Sequence, residues 1–132
     1  MVILIEELAK IKKGQTDEEV EKILNYKLDL IELKNENVHY YYCRFEEVGV
    51  WLFFKIEDKK LYTIRYEHPF PIEIEGIKIG FSKKEVKKVK GQPHRKWPIK
   101  DEMFDIWIYD EPEFIRFDFE KGIKAKVLKI FR

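Results

Sequence analysis

Ile77-Lys78-Ile79-Gly80-Phe81-Ser82-Lys83-Lys84-Glu85-Val86-Lys87-Lys88-Val89-Lys90-Gly91 lies over Ile11-Lys12-Lys13-Gly14-Gln15-Thr16-Asp17-Glu18-Glu19-Val20-Glu21-Lys22-Ile23-Leu24-Asn25 when the chain is shifted against itself by half its length. The two strings share Ile, Gly, Ser/Thr, Glu, Val and Lys at matched positions, with Asn25 opposite Gly91. The same shift sets Tyr41 over Trp107, Cys43 over Tyr109, Trp51 over Phe117, Phe53 over Phe119 and Ile64 over Ile130. One offset held along the whole chain reads as a tandem duplication, with repeats of about 1–66 and 67–132 inside a single domain.

Each string carries its own helix signals. Gly14 and Gly80 permit a turn with positive φ, and Thr16 and Ser82 follow at the N-cap. Glu19 and Glu85 stand three residues further on, so Thr16–Glu19 and Ser82–Glu85 read as capping boxes. Val20, Ile23 and Leu24 share one helix face, as do Val86 and Val89; Asn25, Gly91 and Pro93 mark the stops. An earlier helix is expected over Ile3 to Lys13, with Ile5, Leu8 and Ile11 on one face. Strands are expected over Val38–Phe45, Val50–Ile56, Leu61–Tyr66, Met103–Tyr109, Glu113–Phe119 and Ala125–Phe131. Residues 46–49, 57–60, 111–112 and 121–122 break them into hairpins, and His68-Pro69-Phe70-Pro71 connects the repeats. The expected fold class is α+β: two helix–loop–helix plus antiparallel-hairpin units, their strands in one curved sheet with helices on one face.

Composition narrows the function classes. The chain has 132 residues, 45% hydrophobic and 39% charged, enough apolar material for one buried core. Twenty aromatics (10 Phe, 7 Tyr and 3 Trp) favour sheet. Cys43 is the one cysteine, which rules out an internal disulfide and any multi-cysteine metal centre and suits a reducing compartment. Val2–Ile5 is an apolar run stopped at once by Glu6 and Glu7, too short for an export or membrane segment, so a cytoplasmic location is expected.

Chemistry-bearing residues are sparse. Ser82 is the one serine, and its expected capping role occupies the hydroxyl. His39, His68 and His94 are scattered without metal-ligand spacing. No phosphate-cradling glycine loop occurs. No catalytic, metal-binding or cofactor residue is therefore expected, and the chain reads as a non-enzyme. Its net charge of +1 conceals a basic run (Lys83, Lys84, Lys87, Lys88, Lys90, Arg95, Lys96) ahead of an acidic one (Asp101, Glu102, Asp105, Asp110, Glu111, Glu113, Asp118, Glu120).

The string Gly80-Phe81-Ser82, Glu85-Val86, Gly91-Gln92-Pro93, with the aromatic strand Trp107-Ile108-Tyr109 and the pair Phe117-Asp118-Phe119, resembles the repeat motif of β-lactamase-inhibitor-protein-like domains. It is also similar to the small outer-membrane lipoproteins of the β-barrel assembly machinery. The likeness covers both halves, the second better, since Asn25 and Leu28 stand in the first half where Gly and Pro stand in the second. The resemblance implies a binding protein presenting its sheet to a protein partner.

Alternation in the second half, Phe117 and Phe119 against Arg116, Asp118 and Glu120, points those aromatics at the helices. Carried across the same shift, this turns Trp51 and Phe53 inward and Val50, Leu52, Phe54 and Ile56 outward. Tyr40, Tyr42, Arg44, Ile106 and Ile108 are expected outward by the same parity. A free face of an antiparallel sheet is normally polar; one built of Tyr, Leu, Phe, Ile and Arg has the composition of a protein-binding surface. Tyr40, Tyr42, Leu52 and Phe54 are the expected anchors, with Ile106 and Ile108 beside them and Arg44, Arg65, Arg116 and Asp118 fixing register. The resemblance and the expected location together imply a bacterial immunity protein that blocks a toxin enzyme, with the acidic stretch matching a cationic toxin domain. A homodimer burying the same face, an envelope assembly or scaffold protein, and a nucleic-acid-binding module using Lys83–Lys96 with Trp97 are the competing classes.

Overall fold

The computed structural model describes residues 5–96, 104–122 and 125–132, and it divides into two compact units, Met1–Arg65 and Tyr66–Arg132. Both combine antiparallel strands with short helices, an α+β composition dominated by strand. Ile3, the expected start of the first helix, Trp97, Asp101, Glu102 and Met103 lie outside the described residues.

In the first unit, α1 (Ile5–Ala9) and α2 (Asp17–Leu24) precede β1 (Ile31–Lys34), β2 (His39–Phe45), β3 (Val50–Phe54) and β4 (Leu61–Glu67), which runs across the boundary. The strands neighbour one another in that order. Thr16 caps α2 by accepting the Glu19 N–H at 3.2 Å, while the Glu19 carboxylate accepts the Thr16 N–H at 3.1 Å. Asn25 ends the helix in the left-handed region, at φ 50°. Leu8, Ile11, Val20, Val50, Leu52, Phe54, Leu61 and Ile64 are buried and make the core.

In the second unit, α3 (Lys83–Lys90) precedes β5 (Arg95–Lys96), β6 (Phe104–Tyr109), β7 (Ile115–Glu120) and β8 (Val127–Phe131). Here β6 pairs with β5 and β7, and β7 with β8. Ser82 repeats the capping box, accepting the Glu85 N–H at 3.2 Å as Glu85 accepts the Ser82 N–H at 3.0 Å. The hydrogen bonds that the Glu85 carboxylate accepts from the Ser82 backbone and side chain hold it below the usual carboxylate range.

Several backbone contacts recur at the offset of the two strings. Gly14 N–H donates to Leu61 O and Gly80 N–H to Val127 O; Leu61 N–H donates to Gln15 O and Val127 N–H to Phe81 O. Bridges join Thr16 to Lys60 and Ser82 to Lys126. Gly14 and Gly80 take φ of 89° and 97°, which a side chain would oppose.

The second unit departs from the expected helix–loop–helix. Among the described residues no helix matches α1; a tight turn does its work instead. Ile74 and Ile77 exchange both backbone hydrogen bonds across Glu75 and Gly76, whose φ values of 50° and 84° suit a two-residue hairpin. Ile74 and Ile77 lie over Leu8 and Ile11 at the common offset and are buried as those are. The spacing therefore preserves which positions enter the core while the backbone between them changes. Two strands the alternation did not announce, β1 and the very short β5, flank β2 and β6.

Candidate functional site

Burial along β3 reverses the expected facing. Val50, Leu52 and Phe54 are each 0% exposed, whereas Trp51 and Phe53 are half-buried. The cause is a difference of one position in turn length. The β2–β3 turn takes residues 46–49 and the β6–β7 turn takes 110–114. Cys43 of β2 matches Trp107 of β6 two positions short of the common offset, and the one-residue-longer turn then brings Leu52 and Phe54 of β3 over Phe117 and Phe119 of β7, one position short of it. A slip of one position exchanges the two faces of a strand. Cross-strand registers agree: Cys43 sits opposite Leu52 and Trp107 opposite Phe117. Leu52 and Phe54 are core residues, not surface anchors.

The opposite face of the first unit carries a continuous aromatic cluster. Tyr42 sits opposite Phe53, Arg44 opposite Trp51, Leu33 opposite Tyr40 and Ile31 opposite Tyr42, and directly opposed residues share a face. The Tyr40 and Phe53 rings meet edge-on at 5.4 Å between centres. Tyr42 stacks on Trp51 at 5.8 Å, and Trp51 on Phe53 at 6.2 Å. Two guanidinium groups flank the indole, Arg65 at 4.7 Å and Arg44 at 5.2 Å from its centre. Arg44 also pairs with Glu46 at 2.9 Å. Ile31 extends the patch at 47% exposure. Each ring contact and cation–π pair is worth roughly 0.5–1.5 kcal/mol, so neighbours hold the rings in place while their outer edges stay open.

Of the residues expected at a binding surface, this face gathers Tyr40, Tyr42, Arg44 and Arg65. Trp51 and Phe53 join them against expectation; the unequal turn lengths, residues 46–49 against 110–114, were the signal that could have placed them there. The second unit is different. Ile106 and Ile108 stand opposite Asp118 and Arg116, on the face away from Phe117 as expected, but they are buried there at 5% and 0% exposure and offer no anchor. Arg116 grips Asp118 through two hydrogen bonds of 2.7 and 2.9 Å, and Asp118 is only 2% exposed. The Arg116 guanidinium also lies 4.7 Å from the centre of the Phe131 ring. A buried carboxylate satisfied by a bidentate arginine is a structural pair.

The basic and acidic runs of the second unit answer each other at two points. Lys83 pairs with Asp105 at 2.6 Å, and Arg95 holds Asp110 through bonds of 2.7 and 3.0 Å. That contact lowers the Asp110 carboxyl below its ordinary range. With Asp118 bound to Arg116, three carboxylates of the acidic stretch are committed inside the unit, which weakens the expected match to a cationic partner.

The remaining candidates have structural roles. His94 accepts the Asp110 N–H on Nδ1 at 2.8 Å, and His39 pairs with Glu32 at 2.6 Å. No cluster of three metal-ligating side chains occurs among the described residues. Burial, reinforced by the carboxylates of Asp29 and Glu21, pushes the Cys43 thiol up to about 12. Burial likewise moves Tyr109 to about 12, and its hydroxyl donates to Gly91 O at 2.8 Å. A thiol so raised resists thiolate chemistry. Native protein at pH 8 is expected to leave Cys43 unmodified by an aromatic disulfide reagent for hours, with full reaction on unfolding; rapid native labelling contradicts this. The folded state holds these protons more tightly than the unfolded chain does. Stability therefore declines as pH rises from the ordinary thiol value of 9.0 toward 12.

No helix among the described residues is long and apolar enough to cross a membrane. Compared with protein-family models, curated proteins and solved structures, the chain matches none.

Proposed function

We propose that the protein is a non-enzymatic binding protein whose partner docks on the aromatic face of the first unit. The observation that carries this is the run Tyr40–Phe53–Trp51–Tyr42, partly exposed and in continuous ring contact where an antiparallel sheet ordinarily turns polar residues to water. Trp, Tyr and Arg are the side chains that most often dominate protein interfaces. Held rings lose little conformational freedom on binding, which favours affinity.

Charge selects the partner. Arg44 and Arg65 lie beside the indole, and Glu46 answers Arg44 at 2.9 Å, so the complementary surface is apolar at its centre and places a carboxylate within reach of this cationic rim. That is an acidic protein surface, in place of the cationic one expected from the 101–120 stretch. The resemblance to inhibitor-type repeats supports a finer reading, in which the protein comprises two repeats and acts inside a bacterial cell as an immunity protein, covering a toxin enzyme. That step rests on analogy of motif rather than on the site.

Co-expression with the product of the neighbouring gene tests the finer reading. The wild-type chain is expected to co-purify with that product and relieve its toxicity, and Trp51→Ala is expected to lose both. Full protection by Trp51→Ala, or no complex at all, contradicts it.

A further inference from the structure

A second feature, confined to the second unit, is a cationic cleft above Trp107. Lys83 and Lys87, one turn apart on α3, and Lys96 on β5 converge on its ring. Their Nζ atoms lie 5.9, 5.4 and 5.5 Å from the ring centre, so a single small space is bounded by all three. Asp105 neutralises Lys83 at 2.6 Å. Lys87 and Lys96 have no carboxylate within ion-pair distance among the described residues. With Phe104, Asp105 and Ile106 these side chains line an open cleft of about 350 Å³.

Three ammonium groups around one carboxylate repel one another, and Lys87 and Lys96 hold theirs at the open mouth of the cleft. Cation–π attraction to a single ring is shared among three claimants and offsets only part of that repulsion. A multiply charged anion would satisfy all of them at once. Lysine is a point-charge donor suited to phosphate oxygens, without the fixed fork of arginine. Trp107 is itself 4% exposed, so it offers no open face on which a nucleic-acid base could stack. We propose that this cleft binds a small phosphate-bearing anion of pyrophosphate size, held by Lys87 and Lys96 with Lys83 exchanging between Asp105 and the ligand. The cleft belongs to the second unit alone and does not depend on the function proposed for the aromatic face.

Calorimetric titration of the full chain with inorganic pyrophosphate, at fixed ionic strength, tests this. Saturable binding is expected, weakened at least about tenfold by Lys87→Gln with Lys96→Gln, because two charge-assisted contacts are lost. Lys84→Gln with Lys88→Gln removes the same net charge from positions of α3 that do not line the cleft and is expected to change affinity less than about twofold. Equal weakening by the two pairs, which would mark diffuse charge, overturns the proposal. So does a lack of saturation by about 10 mM pyrophosphate. A single-stranded oligonucleotide at the same ionic strength is expected to bind more weakly than pyrophosphate. Tighter oligonucleotide binding that falls equally with both variant pairs would assign the lysines to a nucleic-acid backbone and also overturns it.

Discussion

Phe54→Ala is expected to cost the fold about 3–5 kcal/mol, the range for emptying a buried phenylalanine site. Phe54 is 0% exposed and sits opposite Tyr41 on the face that also holds Cys43 and Leu52. A loss of that size is a large share of the roughly 5–15 kcal/mol that holds a typical domain together, so the variant should unfold at much lower urea. Trp51→Ala removes a larger ring from a neighbouring position of the same strand, yet its expected cost is only about 1–2 kcal/mol. Trp51 is half-buried, and what it loses is contact with Tyr42, Phe53 and two arginines at the surface. Urea unfolding of the two variants side by side checks the assignment. Equal losses, or a larger one for Trp51→Ala, would mean the faces of β3 are exchanged.

The second large effect belongs to binding. Trp51→Ala is expected to weaken the partner complex by at least about 2 kcal/mol, some thirtyfold in Kd, as central aromatic anchors do. Arg65→Glu should do as much by placing a carboxylate opposite the partner's carboxylates, and its effect should shrink in high salt. Arg116→Ala is the informative contrast. It strips the bidentate partner from buried Asp118 and is expected to cost stability, while the protein that remains folded keeps its affinity within about twofold. Melting temperature and Kd measured on the same preparations separate the two behaviours.

Much of the fold was legible in the sequence because local chemistry dictates it. Thr16 with Glu19 and Ser82 with Glu85 announce helix starts through groups only three positions apart, and the structure forms both capping boxes. Leu61 and Val127, and Ile64 and Ile130, keep both their spacing and their burial, so the last strand of each unit is read correctly by a fixed offset. The central hairpin escaped that reading. Parity along a strand carries no absolute reference, and the additional residue in the 110–114 turn reverses the faces of β3 relative to an uninterrupted shift. Val50, Leu52 and Phe54 are as apolar as Trp51 and Phe53, so composition alone could not choose between the faces. On β2 the mixture of Tyr40, Tyr42 and Arg44 did choose, and these three residues stand where alternation put them. Ile106 and Ile108 failed for another reason: both faces of β6 are buried, and a strand covered on two sides has no polar face to read. The missing counterpart of α1 reflects Glu75-Gly76, a pair of residues suited to a tight turn that overrides helix spacing in a short segment.

If a different protein binds the proposed aromatic face of the first unit, that surface is occupied in the source cell. Photocrosslinking in the source cell, with a light-activated residue in place of Phe53 and, as a control, in place of Leu128, which is 37% exposed in the second unit, tests it most directly. One predominant adduct with another protein is expected from position 53, none from position 128, and the adduct should be lost when Arg65→Glu is added. Adducts of equal yield from both positions, no adduct from position 53, or an adduct only with a second copy of the chain would contradict the proposed site.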